Sequence, residues 1–251
     1  MDNFWPWREW GHGLFPAKKN GRRETFYCFS PPIMLATMAI EGALAIYVLL
    51  RYRNGRFAKV AAVLLILLGI FQLSEYQICG GSDPSFWSHF GLVAITLLPV
   101  VGLRLVSLVS KKKHFFFIGY GIAAALALVF VFVPQSITGA YCGGNYIIFS
   151  GPAALYEFFG MYYFVFLILG MWEAVLIMRE TPKKIVHRIL QWFIIGYLSF
   201  MLPMGLVYAF YAPARVAVTS IMCGFAVILA FIVAFEIVPK YYQLKTPPQA
   251  P

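Results

Sequence analysis

Charge is scarce in this chain. Asp, Glu, Lys and Arg together supply 12% of its 251 residues, against an apolar share of 61%. Water-soluble domains carry about 25% charged and ~45–50% apolar residues. So little charge cannot cover a water-facing surface, which excludes a soluble enzyme, a disordered tail and a nucleic-acid-binding domain. Acidic residues are the rarer sign, 10 Asp and Glu against 20 Lys and Arg, for a formal net charge of +10. In a membrane protein, basic loops on the cytoplasmic side produce the same excess. No nucleic-acid partner is expected.

Reactive side chains are equally sparse. The histidines number 4: His12, His89, His114 and His187. Only His89 stands near an apolar run on the side read below as outer, so no pair inside the spans can hold a b-type haem or a copper centre. The several embedded histidines of seven-span zinc hydrolases are missing too. Residues 216–238 contain no lysine, which excludes a retinal Schiff base of the microbial-rhodopsin type. Gly-x-Ser-x-Gly, His-Glu-x-x-His, a Walker loop and Cys-x-x-Cys are all absent. The acidic residues are spread singly, without the paired pattern of inverted-repeat transporters, and the last apolar run is no weak copy of the first. The expectation is a protein that is not an enzyme and has no cofactor and no metal.

Long apolar runs are what the chain does have, with a mean hydropathy of +0.76. Crossing the hydrocarbon core takes about 20 predominantly apolar residues in a helix. Seven segments qualify: residues 32–50, 60–78, 86–109, 115–133, 154–178, 189–211 and 216–238. Gly and Pro punctuate every break between them except the Lys111-Lys-Lys-His stretch. No period-2 alternation appears, which argues against an outer-membrane barrel. The predicted fold class is therefore an all-α integral membrane protein, a bundle of seven transmembrane helices.

Counting basic residues orients the bundle. Arg8, Lys18, Lys19, Arg22, Arg23 and Arg215 fall on one side. Arg51, Arg53, Arg56, Lys59, Lys111, Lys112, Lys113, Arg179, Lys183, Lys184, Arg188, Lys240 and Lys245 fall on the other. The positive-inside rule puts the richer set in the cytoplasm, with the N-terminus outside and the C-terminus inside. The expected organisation is an outer interfacial tail (1–30), a seven-helix domain (31–239) and a short cytoplasmic tail (240–251). The apolar run that starts near residue 31 is too long for a signal-peptide core. In the tail, Trp5, Trp7 and Trp10 suit headgroup depth, either as a simple anchor or as a docking surface.

Of the 4 cysteines, Cys223 lies within the last span and reads as a small buried apolar residue. Cys28, Cys79 and Cys142 fall on the outer side. Cys79 and Cys142 open matching Cys-Gly-Gly sequences, and disulfides persist in exported compartments. A bridge between Cys79 and Cys142 would tie two outer loops together, with Cys28 left over or competing as the partner of either. The long outer loop 134–152 carries Tyr141 and Asn145. It reads either as a contributor to a ligand or partner site or as an ordered connection packed on the helix ends.

Ionisable residues at membrane depth are costly and point to function by default. Glu41, near the middle of the first span, is the most expensive. If neutral it hydrogen-bonds a neighbouring helix; if ionised it needs a cation. Arg104 and Glu173 lie at similar depth in the third and fifth spans, and are read either as a pair or with Arg104 snorkelling to the inner interface. Gln72, Glu75, His89 and Glu157 all lie near the outer ends of their spans. They are either a polar cluster with a proton-sensitive histidine or headgroup-level residues in contact with water. Pro99 and Pro203 interrupt two spans, where each frees a backbone carbonyl.

One resemblance can be stated on these residues. The stretch from Ala61 to Tyr76, ending Gly-Ile-Phe-Gln-Leu-Ser-Glu-Tyr, is followed by Phe86-Trp-Ser-His-Phe-Gly-Leu-Val-Ala-Ile-Thr-Leu-Leu-Pro. Together they resemble the N-terminal seven-transmembrane sensor region of bacterial histidine kinases and cyclases. That region likewise has a second span with a Gln/Glu face, then a Trp before a helix containing Leu-Pro. The match covers about a fifth of the chain, and no kinase or cyclase output domain follows residue 240. The resemblance implies a stand-alone sensor-like module signalling through a separate partner, and it supplies no catalytic residues.

The sequence therefore predicts a non-enzymatic protein of the bacterial inner membrane, sensor-like or accessory, that binds a ligand or partner through its outer loops and bundle. Its expected partners are the lipid bilayer, other membrane subunits and a small-molecule ligand. The alternatives are a structural subunit of a large membrane complex (respiratory, photosynthetic or secretion type) and a small transporter or channel.

Overall fold

The computed structural model describes residues 31–53, 55–110, 116–142, 147–210 and 218–245. Seven helical rods make up the bulk of it. They are α1 (Pro31–Arg51), α2 (Arg56–Cys79), α3 (Pro84–Ser110), α4 (Phe116–Phe132), α5 (Ala153–Glu180), α6 (Lys184–Phe210) and a composite last rod. That rod joins α7 (Val218–Phe231), a π-helical stretch (Ile232–Ile237) and α8 (Val238–Lys245). Among the described residues, 6 helices are long and apolar enough to cross a membrane. The chain is built as a helical integral membrane protein.

The fourth predicted span is α4, described over the 17 residues Phe116–Phe132 and rich in Phe, Val, Leu and Ala, and residues 111–115 ahead of it lie outside the described residues. The last rod continues past residue 239 to Lys245, so the expected short tail begins inside a helix. Its π-helical stretch has a local cause. Pro239 has no N–H to give to the carbonyl four residues back, and the N–H of Val238 bonds instead to the carbonyl of Val233, five residues back.

The loop expected between the fourth and fifth spans contains a β-hairpin, a difference from an all-α reading. Strand β1 (Gly139–Cys142) pairs antiparallel with β2 (Ile147–Ser150), with Ala140 opposite Phe149 and Cys142 opposite Ile147. The hairpin packs on α2 and α3. Ile147 is fully buried, and the Phe149 ring sits 6.4 Å from Phe71.

α2 and α3 form the centre of the bundle, and the other helices are arranged around them with apolar side chains left outward. Leu50, Phe132 and Phe210 are exposed by 74%, 72% and 82%. In water such a surface would aggregate; in a bilayer it is the lipid-facing face. Close approach between rods falls at small residues, as expected where van der Waals packing drives association. Gly91 of α3 lies against Ser74 of α2, and Gly102 of α3 faces the buried ring of Tyr197 on α6.

Short-range signals set the helix ends. After α2, Gly81 adopts φ 88°, the left-handed conformation that glycine accepts at little cost. The N–H of Ser82 bonds the Gln77 carbonyl at 3.0 Å and that of Gly81 bonds the Ile78 carbonyl at 3.3 Å. This is a Schellman ending, so the first Cys-Gly-Gly is in part a stop signal for α2. Asp83 then caps α3, its carboxylate accepting from the Ser85 N–H at 2.9 Å, with Pro84 in the first helical position.

Pro99 leaves α3 without one backbone hydrogen bond, and α5 grips the helix at that point. The Tyr162 hydroxyl donates to the Thr96 carbonyl at 2.7 Å in a buried setting. Tyr162→Phe is expected to cost about 0.5–1.5 kcal/mol, the usual net value of such a bond. Thermal unfolding in detergent, wild type against variant, measures it.

At the end rich in basic residues, α8 docks on the turn between α1 and α2 through rings. Phe57 stacks on Tyr241 at 3.9 Å and Tyr52 on Tyr242 at 4.7 Å. A side chain at Gly55 would collide with the Tyr242 hydroxyl, which is why the chain turns there on glycine.

Candidate functional site

The structure places the predicted polar residues in separate groups. Gln72 and Glu75, on α2, are 2% and 1% exposed, and Glu41 on α1 is fully buried. The Glu41 carboxylate lies against Gly69 of α2, one turn from Gln72. Glu75 is near enough for its charge to act on Glu41. These three residues form a polar seam where α1 packs along α2, and they are the best-defined candidate site in the bundle. Both carboxyl oxygens of Glu41 and the Gln72 amide nitrogen are buried without a hydrogen-bond partner. Buried polar atoms are nearly always satisfied, so such a concentration marks a place the fold does not keep for stability alone.

The two residues grouped with Gln72 and Glu75 sit on α3 and α5. The His89 ring is half-buried and its Nδ1–H donates to the Phe130 carbonyl near the end of α4. A carbonyl can only accept, which fixes the proton on that nitrogen. His89 thereby ties α3 to α4. Glu157 stands exposed on the first turns of α5.

Arg104 and Glu173 belong to a second polar region, on α3 and α5, which pack together. Glu173 is 4% exposed; Arg104 is half-buried and close enough to Tyr120 of α4 for its charge to reach the phenol. An apolar void of about 20 Å³ is lined by residues including Leu64, Leu98, Leu167, Tyr197, Phe200 and Leu229.

Cys79, the last residue of α2, is disulfide-bonded. The side chain of Cys142 and the whole of Cys28 lie outside the described residues, as do Asn145, the side chain of Tyr141, and Trp5, Trp7 and Trp10. Among the described residues, no group of three or more His, Cys, Asp or Glu could hold a metal ion.

Sequence reasoning singled out each residue of the seam but not its assembly. It also missed Ser74, whose hydroxyl caps the Ile70 carbonyl at 3.0 Å while its Cβ lies where Gly91 lets α3 come close. It missed Tyr162 as the partner of the Pro99 region. A tyrosine near the level of a helix-interior proline on a neighbouring span was the available signal.

The fold and the seam define a class: a helical membrane protein with a buried acidic seam where its first two helices pack. Comparison with known proteins adds no family to that class, since no family model matches the chain and no curated protein is significantly similar.

Proposed function

We propose that this protein is a non-enzymatic, sensor-like or accessory module of a bacterial inner membrane. It spans the bilayer seven times with its N-terminus outside, α4 included, and binds a partner or ligand through its outer hairpin and bundle. The observation that carries this reading is the bundle's construction. Its described centre is largely apolar, and its hairpin is packed onto the central helices. A transporter would gather its buried charges along one path. A module that recognises something at one end needs a rigid cap there and a core that transmits rather than conducts.

A second reading, a structural subunit of a larger membrane complex, draws on α1. Among the described residues this helix packs mainly on α2 and the last rod, and Ile33, Leu35, Ile46 and Leu50 remain exposed along it. Mild-detergent pull-down of the chain from its native membranes, with mass spectrometry and native sizing, separates the two. Recovery as a lone 28.3 kDa species or with one signalling partner is the expected result. Fixed stoichiometry in a large assembly establishes the subunit reading instead.

A further inference from the structure

The α1–α2 seam carries chemistry that neither anchoring nor docking uses. Glu41 stands at the midpoint of α1 (Pro31–Arg51), about 15 Å from either end at ~1.5 Å per residue. Helical side chains lean toward their own N-terminus. α1 and α2 are joined by a short turn and pack side by side, so that lean carries Glu41 toward the hairpin end and Gln72 and Glu75 away from it. The three therefore converge from opposite sides on the level just beyond Gly69. Past Glu75, polar groups continue to the end of the helix, where Ser82 donates to the Gln77 side-chain carbonyl at 2.7 Å.

Three occupants can be weighed for a fully buried Glu41 carboxyl with both oxygens unpartnered. An ionised Glu41 would be a charge at membrane depth with no hydrogen bond to hold it, which is costly. A metal cation wants several oxygens around it, and among the described residues no group of three or more His, Cys, Asp or Glu could hold one. A proton neutralises the group, gives it a donor of its own, and leaves an acceptor oxygen for the Gln72 amide. No other described ionisable group competes for this role. The described side chains of α7 from Gly224 to Phe231 contain none, and in the π-helical stretch Glu236 is held by Lys240. On α3, His89 is committed to Phe130, and Arg104 lies by α4.

We infer that Glu41 is an intramembrane proton-binding site that exchanges with the hairpin end of the bundle through Gln72 and Glu75. The inference is independent of whether the chain is a sensor or a complex subunit.

Infrared spectroscopy of the full-length protein in lipid vesicles tests it. The wild type is expected to show a protonated-carboxyl C=O band at neutral pH that shifts in heavy water. That band is lost in Glu41→Gln, an isostere of the neutral acid, and kept in Glu173→Gln. The deuterium shift slows in Gln72→Leu and Glu75→Gln, each checked for folding by gel filtration. A wild-type spectrum with no protonated carboxyl overturns the inference, whether or not any variant folds. So does a band that survives in folded Glu41→Gln, or one that appears only when sodium and potassium are withdrawn, which would make the seam a cation site. An unchanged deuterium rate in both Gln72→Leu and Glu75→Gln overturns the exchange route.

Discussion

Replacing Gly102 by alanine is expected to destabilise the bundle by about 1–3 kcal/mol, the usual cost of overpacking a filled interior. The new Cβ would fall on the Tyr197 hydroxyl and 3.1 Å from its Cζ. Tyr197 has no room to yield. Its side chain is 2% exposed, and Phe193 and Phe200 hold the ring at 4.3 Å and 5.7 Å. The double variant is the sharper test. Tyr197→Phe deletes the colliding atom and leaves a tight but tolerable approach to the ring. Gly102→Ala in the Tyr197→Phe background should therefore cost much less than in the wild type. Thermal unfolding of the four proteins in one detergent gives the coupling energy, and neighbours of this kind couple by about 0.5–3 kcal/mol. Additive losses would mean that α3 and α6 are not apposed at this point.

The same contact shows what the sequence makes legible and what it does not. Apolar length betrays a membrane helix because lipid offers no partner for an open backbone, and all 6 long helices lie on runs read as spans. The described part of α4, 17 residues from Phe116 to Phe132, lies wholly on the fourth such run, and the chain turns after it at Pro134. The hairpin carried a faint signal, β-branched and aromatic residues on either side of Gly143-Gly-Asn, too brief to stand out beside the long helical runs. Most hidden of all was helix rotation. In a soluble helix the polar stripe marks the outward face. α2 is apolar almost all round, and Val63 and Ile66 are its large exposed side chains, so no periodicity says which neighbour Glu75 addresses. Height along the helix grouped it with His89 and Glu157; packing brings it to Glu41. Gly102 and Tyr197 were invisible for the same reason, since their meeting depends on the faces that two apolar helices turn to each other.

Breaking the Cys79 disulfide is expected to be the most damaging single change. A native bridge typically contributes about 2–4 kcal/mol, mainly by restricting the unfolded chain, and more when it closes a long loop. Cys142 is the partner expected from where the strands lie. β1 ends at Cys142, its backbone paired opposite the buried Ile147, and the hairpin rests on α2, which ends at Cys79. A Cys79–Cys142 link would close a loop spanning α3, α4 and β1, and would staple the cap to the central helix just where the acidic seam opens. Cys79→Ser and Cys142→Ser should therefore lower the unfolding midpoint by the same amount. The double variant should lose no more than either single one, and Cys28→Ser should change little. A reducing agent should bring the wild type to the level of the variants and leave the variants unmoved. Peptide mapping of protein prepared under non-reducing conditions from its native membrane provides the direct check, through a cross-linked pair containing both residues. If Cys28→Ser reproduces the loss and Cys142→Ser does not, the staple runs to the N-terminal segment instead, and the hairpin is held by packing alone.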